Sequence, residues 1–188
     1  MKIDPDLLPV HFPPMFSPEN VEATDHLSLK EAREWLRYRA TQGSGTKCPC
    51  CGAATQFYAQ RINKTMAIAL GWLVQKSTDE DESAFRWVNV PKEGPRWLLR
   101  SNQLATLRHW GLLERLPKEE GAKTKHSGIW RPTDRGYRWV KGEISIQKFV
   151  VIYRSINYGY FGPLQTFAEA AGSEFFDYAE AIAPIAKD

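Results

Sequence analysis

Apolar residues recur along this chain with two different periods, and the longest regular stretch is helical. Between Lys64 and Gln75, Met66, Ala67, Leu70, Leu73 and Val74 share one face, with Ile68 and Trp72 beside them. A helix that is apolar nearly all round belongs in the middle of a domain. Asn63 stands at its N-cap position. An earlier helix starts at Ser28-Leu29-Lys30-Glu31, a capping box in which hydroxyl and carboxylate satisfy first-turn amides reciprocally. Leu29, Ala32, Trp35 and Leu36 follow at helical spacing, with Lys30, Arg33 and Arg37 on the opposite face. Strand-like runs appear at 56–60, 85–90, 112–116 and 144–153. Residues 155–163 (SINYGYFGP) read as a loop, and 165–171 and 175–182 as short helical pieces around Gly172.

The stretch 97–140 combines both periods. Leu104 and Leu107 lie three apart, with Leu99 and Trp110 near the same face, which predicts one helix from about Leu98 to Trp110. Gly111 ends it as a C′ glycine does. Leu112–Leu116 is apolar enough for a strand, 117–128 is turn-rich and charged, and Ile129-Trp130 resumes the apolar pattern. Thr133 can cap a helix beginning at Asp134.

This order resembles the second half of a winged helix-turn-helix. The family phrase "GLI-E-R … G … Y-x-L-T-x-x-G" stands here as Gly111-Leu112-Leu113-Glu114-Arg115, followed by Gly128-Ile129-Trp130-Arg131-Pro132-Thr133-Asp134-Arg135-Gly136. The resemblance implies an α+β fold with four parts. These are a winged helix-turn-helix core, a small β-hairpin wing, an N-terminal helix with a knuckle-like turn, and a C-terminal helical extension. One departure stands out: the Pro91–Pro95 turn leaves little room for the second helix that precedes a recognition helix.

A second resemblance covers most of residues 47–180. The pieces Cys48–Gly52, Lys64–Ala67, Phe85–Val90, Arg108–Leu113, Pro117–Gly128, Gly128–Gly136 and Gly172–Tyr178 are similar to uncharacterised proteins of bacteriophages and prophages. That likeness implies a bacterial host cytoplasm, but no activity.

Charge divides the chain into three. The net charge is +3. Residues 47–154 hold 19 Lys and Arg against 10 Asp and Glu; residues 1–46 hold 5 against 7, and residues 155–188 hold 1 against 5. The expected organisation is a Pro-rich arm and capped helix (1–46), a knuckle and winged-helix domain (47–154), and an acidic helical extension (155–188). A basic block fits a polyanion such as double-stranded DNA. Under the winged-helix resemblance, Arg100, Asn102, Gln103, Thr106 and Arg108 form the outward set of the recognition helix. Arg reads guanine edges, and Asn or Gln reads adenine. Lys118, Lys123, Lys125 and His126 occupy the wing tip, with Arg131 at its base, where phosphate or minor-groove contacts are expected. Glu119 and Glu120 on the same tip oppose that role. The acidic stretch 77–83 reads as a solvated loop.

The three cysteines crowd into Cys48-Pro49-Cys50-Cys51-Gly52, too close for a disulfide framework. Written C-P-x-C-G, this resembles one zinc knuckle, which presents two thiolates around a turn to one ion. A zinc site needs four ligands. The expected set is Cys48, Cys51, Cys50 and His126, with His11, His26, His109 or a homodimer as other ways to complete it.

The remaining patterns exclude more than they assign. There is no run of ~18 apolar residues for a membrane span, and the N-terminus lacks a signal-peptide pattern. No P-loop, G-x-S-x-G, dinucleotide loop or H-x-E with paired cysteines is present, so no enzyme is predicted. The expected function is DNA binding by a transcriptional or host-takeover regulator. The alternative is a module that binds and inhibits a host protein.

Overall fold

The computed structural model describes residues 27–41, 45–78, 85–117 and 127–172. The residues before 27, positions 79–84 of the acidic stretch, the wing tip and the last helical piece lie outside the described residues; Ser77 and Thr78, expected in a solvated loop, are instead buried, Ser77 as the last residue of a helix. The chain is α+β. In order come α1 (Leu29–Thr41), β1 (Thr46–Lys47), β2 (Ala54–Thr55), β3 (Tyr58–Arg61), α2 (Lys64–Ser77), β4 (Val88–Asn89), α3 (Val90–Glu93) and α4 (Arg96–Ser101). A 3-10 helix (Leu104–Trp110) follows, then β5 (Leu113–Arg115), β6 (Ile129–Pro132), α5 (Asp134–Val140), β7 (Ile146–Tyr153), β8 (Ile156–Gln165) and α6 (Phe167–Ala171). Among the described residues no helix is long and apolar enough to cross a membrane.

Two compact units interleave in sequence: Met1–Arg61 with Phe149–Phe161, and Ile62–Lys148 with Gly162–Asp188. Charge, by contrast, changes in linear order.

In the first unit, α1 begins at its capping box. The Glu31 amide donates to Ser28 Oγ at 3.3 Å, and the Ser28 amide to Glu31 Oε2 at 2.8 Å. Ala32, Trp35, Leu36 and Ala40 are buried, whereas Leu29 is exposed. β1 and β2 form a two-residue antiparallel ladder. β3 pairs antiparallel with β7, Tyr58 opposite Ile152 and Arg61 opposite Phe149. Phe57 stacks on Tyr153 at 4.6 Å and meets Tyr158 edge-on at 5.1 Å. The sheet order is β3-β7-β8. Of the stretch 155–163, expected as a loop, all but Ser155 is therefore strand. Its turn is the two-residue pair Arg154-Ser155, with φ of 49° and 64°. A two-residue turn with positive φ at both positions matches strand twist.

In the second unit, α2 is the core. Asn63 Oδ1 accepts from the Met66 amide at 3.0 Å, which caps the helix as predicted. Met66, Ala67, Ala69, Leu70, Leu73 and Val74 are fully buried. α2 packs against β4, β6, the 3-10 helix, α5 and α6. Trp110 and Trp139 bury their rings completely. Their indole N–H groups remain satisfied, donating to the carbonyls of Gln147 at 2.9 Å and Gln165 at 3.1 Å.

A three-stranded antiparallel sheet runs β4-β6-β5, with Val88 opposite Trp130 and Leu113 opposite Pro132. The G-L-L and T-D-R-G motifs close against each other at its end. The Thr133 hydroxyl donates to the Gly111 carbonyl at 2.6 Å and accepts from the Gly136 amide at 3.1 Å. The Thr133 amide donates to the Leu112 carbonyl at 3.1 Å. Thr133 thus caps α5 and pins the turn before β5.

The helix predicted over 98–110 is not continuous. Asn102 takes the left-handed conformation (φ 48°) and ends α4. The chain restarts as the 3-10 helix, in which residues i, i+3 and i+6 eclipse on one face. Leu104, Leu107 and Trp110 have that spacing and all are buried. Leu98 is the buried residue of α4, and Leu99, expected inside, is 45 % exposed. The break leaves α4 as a separate short helix that begins directly after Pro95.

Candidate nucleic-acid interface

The predicted reading set does not form one helical face. Arg100 is exposed on α4, Asn102 is exposed at the break, and Thr106 and Arg108 sit on the 3-10 helix, half-buried and exposed respectively. Asn102, Thr106 and Arg108 come together as one wall of a cleft of about 370 Å³. Ala105 and His109 share that wall, and Arg115, Gly128 and Trp130 form the opposite side. Gln103 is not outward: its Oε1 is buried and has no hydrogen-bond partner. Lys118, Lys123, Lys125 and His126 lie outside the described residues.

The cleft has two characters. Its cationic end holds Arg108 and Arg115. The Arg115 guanidinium carbon lies 5.6 Å from the centre of the Trp130 ring, within cation–π range. Burial, and then the charge of Arg108, push the His109 imidazole below its ordinary pKa, which favours the neutral ring near pH 7. The other end is an apolar recess of about 150 Å³, lined by Val90, Pro91, Leu98, Leu99 and Leu104. Asn102, Ala105, Gly128 and Trp130 border both ends.

Backbone geometry holds the floor together. The Val90 amide donates to the Gly128 carbonyl at 3.2 Å. Gly128 has φ +69°, and a Cβ there would sit 2.7 Å from Pro91 Cγ. Asn89 caps α3 by accepting from the Lys92 amide at 3.3 Å, and Glu93 binds the Asn89 amide and Arg86.

Arg131, expected to meet phosphate, has contacts within the sheet. Its guanidinium donates to Glu114 across the β5–β6 pair and stacks on Trp87 at 4.4 Å. These contacts partly neutralise and orient it. Sequence reasoning missed Arg115, which the strand pairing places opposite Trp130. Strand alternation from Leu113, with Arg115 two residues on, was the signal that could have found it.

The cysteine turn lies in the first unit between β1 and β2. The Cys48 amide donates to the Ala53 carbonyl at 2.9 Å, and the Gly52 amide to the Cys48 carbonyl at 2.8 Å, with Gly52 at φ +69°. Hydrogen bonds from the backbone of Cys50 and Cys51, and from the Cys51 side chain, hold the Cys48 thiol below its ordinary pKa. Amides aimed at sulfur favour a thiolate. Cys48 is half-buried, and Cys50 and Cys51 are exposed. Among the described residues no group of three or more His, Cys, Asp and Glu side chains is placed to hold a metal ion.

No protein-family model, curated protein or solved structure matches this chain.

Proposed function

We propose that this chain is a winged-helix DNA-binding protein of the kind bacteriophages use as transcriptional or host-takeover regulators. The observation that carries the reading is the β4-β6-β5 strand order, with helices between β4 and β5 and the β5–β6 hairpin leading into α5. In a winged helix the first strand and the wing pair in this order. α2 then corresponds to the first helix, α4 to the second, and the 3-10 helix to the recognition segment. The excess of Lys and Arg over residues 47–154 supports a polyanion partner.

Binding to a fluorescent duplex should weaken steeply with salt. About six phosphate contacts predict a log–log slope of about −5. Arg100→Ala and Arg108→Ala should each weaken binding and reduce the slope by about 1. An affinity unchanged between roughly 50 and 200 mM salt would sink the proposal.

A second reading, a module that binds and inhibits a host protein, draws on one observation. Trp97 and Leu99 are 41 % and 45 % exposed on the short α4. Purification with and without nuclease separates the two readings. A DNA-binding protein carries nucleic acid before treatment, and a protein-binding module does not.

We further propose that the cysteine turn binds zinc through Cys48, Cys51 and Cys50, with His126 or a second copy completing the site. A structural zinc contributes on the order of 10 kcal/mol of binding energy, so chelation should unfold the β1–β2 turn. Elemental analysis under reducing conditions should find close to one zinc per chain, or per pair of chains if a homodimer shares it. Protein that carries no zinc would end the proposal.

A further inference from the structure

We infer that the cleft between the 3-10 helix and the β5–β6 pair receives an unpaired nucleotide of a DNA strand. The inference rests on the DNA-binding reading and names the substrate class of that same site.

Paired bases are read at their edges by an element that protrudes into a groove. Here Asn102 and Thr106 line a recess instead, and the 3-10 helix gives its apolar face to the core through Leu104, Leu107 and Trp110. The recess, about 370 Å³, falls in the size range of small-ligand sites. Its lining offers groups for both the base and the phosphate of a nucleotide. Arg115, within cation–π range of Trp130 at 5.6 Å, lines the cleft and supplies a guanidinium on which a base can stack. Asn102 and Thr106 supply donors and acceptors for a base edge. Arg108, exposed at the wall of the cleft, meets the phosphate.

A strand-borne nucleotide fits better than a free one. Arg96 and Arg100 are exposed on α4 beside the recess, where they meet neighbouring phosphates. A base already unpaired avoids the few kcal/mol that extrusion from a duplex costs.

The test is a competition at fixed salt between two labelled DNAs of the same sequence. One is a perfect duplex, and the other carries a short unpaired bulge. The bulged DNA should bind roughly tenfold tighter, the effect of one stacked base. Arg115→Ala, and separately Ala105→Phe, which fills the recess, should each remove that preference. Thermal melting identifies any variant that has lost its fold. Equal affinity of the wild-type chain for both DNAs overturns the inference and leaves the DNA-binding reading standing. Binding to neither overturns both.

Discussion

Gly136→Ala should destabilise the second unit by about 3 kcal/mol or more, at or above the top of the usual ~1–3 kcal/mol range for overpacking. A Cβ at Gly136 would fall 1.9 Å from the Leu112 carbonyl oxygen and 2.9 Å from its carbon. Neither atom belongs to a side chain that can swing away. The same carbonyl accepts from the Thr133 amide, so moving it also disturbs the cap of α5. Relief requires α5 to lift from the turn that leads into β5. Urea denaturation measures the cost as a drop in midpoint at constant slope. A change of less than about 0.5 kcal/mol, the scatter of ordinary surface substitutions, would mean that the two backbones are not in contact.

Trp110→Ala should cost about 3–5 kcal/mol, the usual loss for a large aromatic removed from a core. Trp110 has no exposed surface, closes the buried row of the 3-10 helix, and satisfies the Gln147 carbonyl. The substitution leaves a cavity and an unpaired carbonyl together. Trp97→Ala is the control, because Trp97 is 41 % exposed and should lose far less. Equal losses at the two positions would contradict the burial assigned here. Against a typical domain stability of about 5–15 kcal/mol, either Gly136→Ala or Trp110→Ala leaves little margin.

What the sequence revealed follows the range of the interactions. Caps are local, and those of α1 at Ser28, α2 at Asn63 and α5 at Thr133 were readable because donor and acceptor lie three residues apart. The burial of α2 was readable because its faces are nearly all apolar. The break at Asn102 was not. An asparagine inside a leucine repeat fits a helix unless it adopts the left-handed conformation, and Asn tolerates that conformation better than most residues. The strict spacing of three from Leu104 to Trp110 was the available clue to a 3-10 helix. β8 was missed for a similar reason. Gly159, Gly162 and Pro163 resemble a loop, and Arg154-Ser155 lacks the Asn-Gly signature of its turn.

The candidate site was legible by chemistry but not by shape. Arg108, Thr106 and Asn102 were identified as polar and outward, and they do line one cleft. The concavity depends on pairing between β5 and β6, whose partners lie far apart in sequence. Pairing also placed Arg115 on Trp130 and drew Arg131 towards Glu114 and Trp87. A strand register decides those partners, and one residue of slip would exchange them.

The contact of α6 with α2 has a temporal meaning. Phe167 lies where a Cβ on Gly71 would come within 3.2 Å of its ring, and it meets Trp139 edge-on at 5.2 Å. The ribosome makes α2 long before Phe167. Until α6 has been synthesised, the side of α2 at Gly71 lacks Phe167. Closing so long a loop is entropically expensive and depends on contacts distant in sequence. The nascent chain therefore passes through a period in which the face of α2 that packs on α6 is open to solvent.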